Sequence, residues 1–380
     1  MLKITNMVPL GTLISPAKTV RCGDDSYPVL SMTMHNGLVF QDDKFKKEIA
    51  SKDKSDYKVV YRNQLVISFP IDEGVLAAQR IADAGIVSPA YGIWDIDHSQ
   101  ILPEFLEKAL RCERAIAYYK AKLRGSTARR RSLPTPTLLE FTVPLPSLET
   151  QEAILGLVNK VKLVIDKREQ ELQRLNDLIK ARFVEMFGMD VSDGVPLREC
   201  CIDVRGGGTP SMKHPEYYGG DVPFIKSGDV KDNLVFSGAL WLTEKALSET
   251  TAKYIPEGSV IVVNRSAALL KEFRAAITGQ PVVINQDIKA FIPKTTYTSQ
   301  YLLWAIKIQT QYLLTKVTTV LTSHIDLKDL LELRIVPAPV EKQKAFSAFV
   351  KQIDKSKVVV QKALDEAQLL FDSLMQKYFG

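Results

Sequence analysis

Bond-making chemistry needs particular side chains at particular spacings, and this chain supplies few of them. Its four histidines, His35, His98, His214 and His324, are scattered. Its four cysteines, Cys22, Cys112, Cys200 and Cys201, lack metal-ligand spacing, and the adjacent pair Cys200–Cys201 is an unlikely disulfide. The sequence contains no Gly-x-x-x-x-Gly-Lys phosphate loop, Gly-x-Gly-x-x-Gly, His-Glu-x-x-His, paired Cys-x-x-Cys or Asn-Pro-Pro-Tyr-type methyltransferase motif. No catalytic residues and no metal site are therefore expected, and an enzyme acting alone is disfavoured. What the chain does carry is patterned positive charge.

Two stretches are free of Asp and Glu. Residues 114–139 hold Arg114, Lys120, Lys122, Arg124, Arg129, Arg130 and Arg131. Residues 288–325 carry Lys289, Lys294, Lys307 and Lys316. A phosphate backbone would be attracted to such windows and an acid would be repelled. A basic run alone is as readily a solvated loop, but its recurrence at equivalent places in two halves favours a polyanionic partner. Further candidate loops are Gly206-Gly207-Gly208-Thr209-Pro210-Ser211, Lys226-Ser227, Asn264-Arg265-Ser266 and Asn285-Gln286. The glycines suit close backbone approach or a mere flexible turn. Thr, Ser and Asn can bond phosphates or base edges, while Asn285-Gln286 could equally satisfy buried backbone. The candidate DNA contacts in the first half are Lys122, Arg124, Ser126, Thr127, Arg129, Arg130 and Arg131. Those in the second half are Thr209, Ser211, Lys213, Lys226, Ser227, Asn264, Arg265, Thr322, Ser323 and His324.

The elements that must position these residues are organised by a long-period repeat. Val143-Pro144-Leu145-Pro146 precedes Gln151, and Val336-Pro337-Ala338-Pro339 precedes Gln343. Each is followed by a helical segment closing on Phe-Gly, at Phe187-Gly188 and Phe379-Gly380, with residue i matching residue i+192. A weaker echo opens each half, Val8-Pro9-Leu10 against Val195-Pro196-Leu197. Spacings of four and three give Ile154, Val158, Val161, Ile165, Arg168, Leu172, Leu175, Ile179, Arg182 and Met186 in the first segment. The second gives Phe346, Val350, Ile353, Lys357, Val360, Leu364, Ala367, Phe371, Leu374 and Tyr378. All but Arg168, Arg182 and Lys357 are apolar, which is the seam of a coiled coil. Ser147 is the expected N-cap and Gly188 the expected left-handed terminator. Helices of about 37 residues, roughly 55 Å long, follow. They either pair antiparallel with each other or pack separately, each on its own domain, and their equal lengths favour pairing.

The globular halves read as mixed α/β. Strands are expected over 27–32, 57–60, 65–69, 92–96 and 140–143, with a helix over 103–121. The second half has strands over 222–225, 259–263, 282–284, 288–292 and 334–336, with a helix over 299–313. At 380 residues, 46% apolar and 25% charged, two domains of an ordinary globular protein are expected. No apolar run reaches the roughly 18 residues of a membrane span, and the cysteine usage fits a reducing cytoplasm. A net charge of +6 permits a polyanion without demonstrating one.

In this order the segments resemble the specificity (S) subunits of type I restriction–modification systems, over essentially the whole chain. The Pro-x-Pro-to-Gln segments at Pro144–Gln151 and Pro337–Gln343 carry the resemblance, with Gly207-Gly208-Thr209-Pro210, Gly125-Ser126-Thr127-Ala128-Arg129-Arg130 and Val87-Ser88-Pro89-Ala90-Tyr91. The first half has only Gly11-Thr12 where a Gly-Gly-Thr-Pro loop would stand. The resemblance implies an α+β fold, two mixed α/β target-recognition domains joined by two long antiparallel coiled-coil helices. It implies target-recognition domains at 1–146 and 189–338 and helical regions at 147–188 and 339–380. It further implies a non-catalytic subunit that reads a bipartite, asymmetric site in double-stranded DNA. Modification (methyltransferase) subunits using S-adenosylmethionine would dock on the helices, a restriction (motor-nuclease) subunit would complete the complex, and this chain would bind no cofactor and no membrane. The alternatives are a coiled-coil adaptor that binds no DNA, and the specificity module of an orphan or other-type methyltransferase.

Overall fold

The computed structural model describes residues 6–34, 36–44, 53–123, 133–319 and 322–380. The chain divides into two compact units, residues 1–169 with 362–380, and residues 170–361. The division falls inside both long helices, Leu148–Phe187 and Val340–Phe379, so each unit holds one half of each. Both helices run 40 residues and begin three residues before Gln151 and Gln343. The first start agrees with Ser147 as N-cap, whereas the apolar period itself begins only at Ile154 and Phe346. Ser147 accepts from Thr150 N–H at 3.3 Å, and Gly188 ends the first helix at φ +79°.

The helices pair antiparallel. In the first unit Ile154, Val158, Val161 and Ile165 share one core with Leu374, Tyr378 and Phe379. In the second, Ile179 and Phe183 share a core with Phe346 and Val350. One expectation fails at the end of the first helix. Phe183, not Arg182, takes the buried position, and the Arg182 guanidinium lies 5.8 Å from the Phe349 ring while pairing with Glu185. An α-helix drifts against a strict 3.5-residue repeat, so the seam moves by one residue. The polar position Lys357 is kept, its Nζ donating to Asn176 Oδ1 at 2.7 Å.

The conserved-spacing glutamines are internal ties. Gln151 is fully buried, its Oε1 accepting from Leu102 N–H (2.8 Å) and its Nε2 donating to the carbonyls of Gln100 and Pro146 (2.9 Å each). Gln343, also fully buried, accepts from Thr298 N–H (2.8 Å) and donates to Thr296 O (3.0 Å) and Ala338 O (2.8 Å). One carboxamide thus satisfies three backbone groups that would otherwise be orphaned where a globular helix begins beside a long one. The opening echo is the other half of this frame. Met7–Pro9 pairs antiparallel with Thr142–Pro144, and Val195–Pro196 with Arg334–Ile335. Leu10 N–H bonds Phe141 O as Leu197 N–H bonds Leu333 O.

Beyond the frame the units differ. The first has a four-stranded sheet in the order Ile14–Pro16, Gly92–Ile96, Leu65–Ile67, Leu76–Ala78, with the pairs Leu30–Thr33/Gly37–Phe40 and Lys58–Tyr61/Ala84–Val87 beside it. The second has a five-stranded sheet, Cys201–Gly206, Ile288–Pro293, Val260–Val263, Ala275–Thr278, Leu234–Val235. Its four-stranded sheet runs Leu240–Leu242, Tyr218–Ile225, Val282–Ile284, Tyr254–Ile255. Both globular helices expected as single are broken. Pro103–Arg111 and Glu113–Lys122 meet at an extended Cys112 (φ −71°, ψ 163°), whose Sγ donates to Phe379 O at 3.2 Å. Ser299–Lys307 and Thr310–Thr315 are separated by Gln309, which donates to Ala305 O and Arg334 O. Neither break carries a Gly or Pro, so tertiary contacts set both.

Candidate nucleic-acid interface

In the first unit Lys122 is exposed and ends the helix Glu113–Lys122. Arg124, Ser126, Thr127, Arg129, Arg130 and Arg131 lie outside the described residues. Arg114, which opens the acid-free window, is not a free surface charge. Its guanidinium sits 4.6 Å from the Phe141 ring, Nη2 donates to Thr142 O at 2.9 Å and Nε to Phe379 O at 3.4 Å. A cation at this helix C-terminus is favoured by the helix dipole. The second window also has a partly structural origin. It contains the helix Ser299–Lys307, whose Tyr301, Leu302, Leu303, Trp304, Ala305 and Ile306 are all buried. Lys307 lies 5.7 Å from the Trp304 ring and donates to Asn233 Oδ1; burial pushes its ammonium down to about 8. Acids are absent here largely because the segment is core.

The second unit gathers most of its candidates at one edge. Ile225 pairs in parallel with Ile284, Gly206 pairs with Lys289, and Val263 with Ile288. The C-terminal ends of four strands (Cys201–Gly206, Tyr218–Ile225, Val260–Val263 and Val282–Ile284) therefore meet the start of Ile288–Pro293. From those ends project Gly207 to Thr209, Lys226 and Ser227, Asn264 to Ser266, and Asn285 to Asp287. Asn264 N–H donates to Asp287 O (3.0 Å), and Gly208 N–H to Ile284 O (3.0 Å). Gly207 and Gly208 have a packing cause. A Cβ on Gly207 would stand 2.1 Å from Asn285 O, and one on Gly208 2.5 Å from Thr251 Oγ1.

The side chains at this edge divide into framework and surface. Asn264 is buried, its Nδ2 donating to Ile325 O at 3.2 Å, and buried Ser323 shares a hydrogen bond with Thr319 Oγ1 at 3.0 Å. His324, half-buried, contacts Thr318 Oγ1 (3.1 Å) and Asp326 Oδ1 (3.4 Å). Thr209, Lys226, Arg265, Gln286 and Thr322 are exposed, with Thr209 donating to the Gln286 carboxamide. Gln286, in a candidate loop of the sequence reading, and Lys289, in its second basic window, lie in register beside the glycine loop. Ser211 and Lys213 are exposed on the connection toward Pro215–Tyr217, and among the described residues no hydrogen bond joins them to the edge.

The edge carries both signs of charge, and its carboxylates are hydrogen-bonded within the protein. Asp229 is occupied by the N–H groups of Lys226 (2.8 Å) and Ala239, Asp287 by Asn285 Nδ2 (3.1 Å), and Asp326 by His324. Lys226 and Arg265 have no ion-pair partner among the described residues. Cys200 and Cys201 are buried elsewhere in this unit; burial raises both thiols, Cys201 to about 12, so they stay protonated at neutral pH. Among the described residues no group of three His, Cys, Asp or Glu could hold a metal ion, and no helix is long and apolar enough to cross a membrane.

The chain is similar in sequence and in fold to known proteins. The sequence profile described as "Type I restriction modification DNA specificity domain" matches residues 197–367. The type I restriction enzyme EcoR124I/EcoR124II specificity subunit of Escherichia coli is 37% identical over 98 residues, 26% of this chain and 24% of that one. The MjaIX specificity subunit of Methanocaldococcus jannaschii is 33% identical over 111 residues, 28% of this chain and 25% of that one. The aligned stretches thus span about a quarter of either relative's length. The crystal structure of the type I restriction–modification S subunit from M. genitalium shares the fold across 100% of this chain and 98% of its own, with a TM-score of 0.53 at 14% identity. The profile places residues 197–367 in the type I restriction modification DNA specificity domain family, and the M. genitalium S subunit shares the fold of the chain.

Proposed function

We propose that this chain is the non-catalytic, sequence-reading subunit of a type I restriction–modification complex in the cytoplasm. Its two units each read one part of a bipartite, asymmetric site in double-stranded DNA. Modification subunits carrying S-adenosylmethionine dock on the paired helices, and a restriction subunit completes the assembly; the chain itself holds no cofactor. The observation that carries this reading is the edge of the second unit, where exposed Thr209, Lys226, Arg265 and Gln286 converge and the neighbouring acids are already engaged. Unpaired cations beside carboxamides and hydroxyls combine phosphate attraction with base-edge hydrogen bonding. On the first unit, the basic run Arg129, Arg130 and Arg131 serves the same end. The test is binding of the full chain to random-sequence duplex over a salt series, together with mapping of adenine methylation in cells with and without the chain. Affinity falling log-linearly with salt, and methylation at one split motif that needs the chain, are the expected results. Salt-independent or absent binding with an unchanged methylation pattern overturns the proposal.

A further inference from the structure

One side chain at this edge stands apart from the other arginines of its unit. Outside the long helices, Arg198 pairs with Glu332, Arg205 with Asp203 and Arg274 with Glu272, and Arg334 donates to Gly194 O. Arg265 alone among them has no partner among the described residues, and it is exposed. Its backbone is nevertheless fixed from both sides. Arg265 N–H donates to Asp287 O at 3.3 Å, Arg265 is bridged to His324, and Ser266 N–H donates to Ser323 O at 3.0 Å. The two acids closest in the chain fabric are engaged, Asp287 by Asn285 and Asp326 by His324. An exposed guanidinium without a partner among the described residues, on a backbone held by its neighbours, is available to an outside acceptor.

Position says which acceptor. Arg265 follows Val260–Val263, the middle strand of the five. Lys289 lies on the adjacent strand and Lys226 follows a strand of the second sheet. Phosphate contacts position a protein on the duplex, while contacts to base edges specify its sequence. The planar fork of arginine matches the O6 and N7 acceptors of guanine, which no other base presents together.

Resting on the DNA-reading function above, we propose that Arg265 is a specificity-determining residue that recognises one guanine in the part of the site read by the second unit, through paired hydrogen bonds in the major groove.

The experiment selects duplexes from a library with a randomised central region, using the full chain, R265A, R265K and K226A, and measures the salt dependence of each. The wild-type consensus is expected to contain a guanine whose preference R265A loses by about 5- to 150-fold, with the other positions retained. R265K, which keeps the charge without the fork, is expected to retain the salt slope and lose most of that preference. It decides the matter should R265A fail to fold. K226A is expected to weaken all sequences alike and reduce the log–log salt slope by about one. A consensus unchanged in R265A and R265K, or a uniform loss like that of K226A, overturns the guanine assignment and leaves DNA reading intact. A wild-type chain that enriches no sequence and shows no salt dependence overturns both.

Discussion

Gln343 and Gln151 show what single residues do here. Replacing Gln343 by alanine removes the partner of Thr298 N–H and of the carbonyls of Thr296 and Ala338. Each unsatisfied buried group costs about 1–3 kcal/mol, so Q343A is expected to lose on the order of 3 kcal/mol or more. Denaturant unfolding measures this, and a loss below about 1 kcal/mol would show that water replaces the amide. Lys307 gives a pH-dependent case. Burial, with Lys357 and Lys180 nearby, lowers its pKa to about 8, opposed by Asp232 and Asp354. The unfolded lysine titrates near 10.4, so between about pH 8 and 10.4 the unfolded chain binds the extra proton. The stabilising contribution of the neutral amine is therefore present above that window and lost as pH falls through about 8. Lys307→Met is expected to be more stable than the parent at pH 7, with the difference shrinking by pH 10. A difference that is constant across this range refutes the assignment.

At the scale of elements, the frame was legible in sequence and the sheets much less so. The 192-residue repeat marked both glutamines, both long helices and their antiparallel seam, because periodicity and exact spacing survive in a one-dimensional string. Val260–Val263 and Val282–Ile284 were readable as continuous apolar runs, and both are buried throughout. The two- and three-residue strands Tyr254–Ile255, Leu234–Val235 and Leu76–Ala78 were not, since so short a segment has no period. Charge windows misled in part: Arg114 and Lys307 are basic residues with internal partners. The convergence of Thr209 with Gln286, 77 residues apart, depends on strand register that no local pattern encodes. The helix ends supply an element-level prediction. Phe379 is buried in the first unit, 4.9 Å from the Phe105 ring. Phe379→Ala is expected to cost roughly 3–5 kcal/mol, with hydrogen exchange accelerating in residues 65–78 and 92–110 and not in 260–290. Equal acceleration in both segments would contradict two separately cored units.

The whole molecule repeats one frame and varies what the frame carries. The same strand pairing and the same buried glutamine recur, while the sheets above them differ in strand number and loop sequence. Such a design lets one half change without disturbing the other. Exchanging residues 1–143 for the corresponding segment of a relative is expected to alter one part of the methylated motif and preserve the other, read by methylation mapping. Alteration of both parts would refute independent reading. The division of the chain has a further consequence, during synthesis. Residues 170–361 form a unit that is continuous in sequence, whereas the first unit includes residues 362–380, among them Leu374, Tyr378 and Phe379 of its core. Domains ordinarily fold in the order in which the ribosome delivers them. Here the half encoded first waits for residues 362–380, which are translated after the whole second unit, so its core is exposed to chaperones and proteases until those turns of helix arrive. A message cut short upstream of them yields a second unit that can close and a first that cannot.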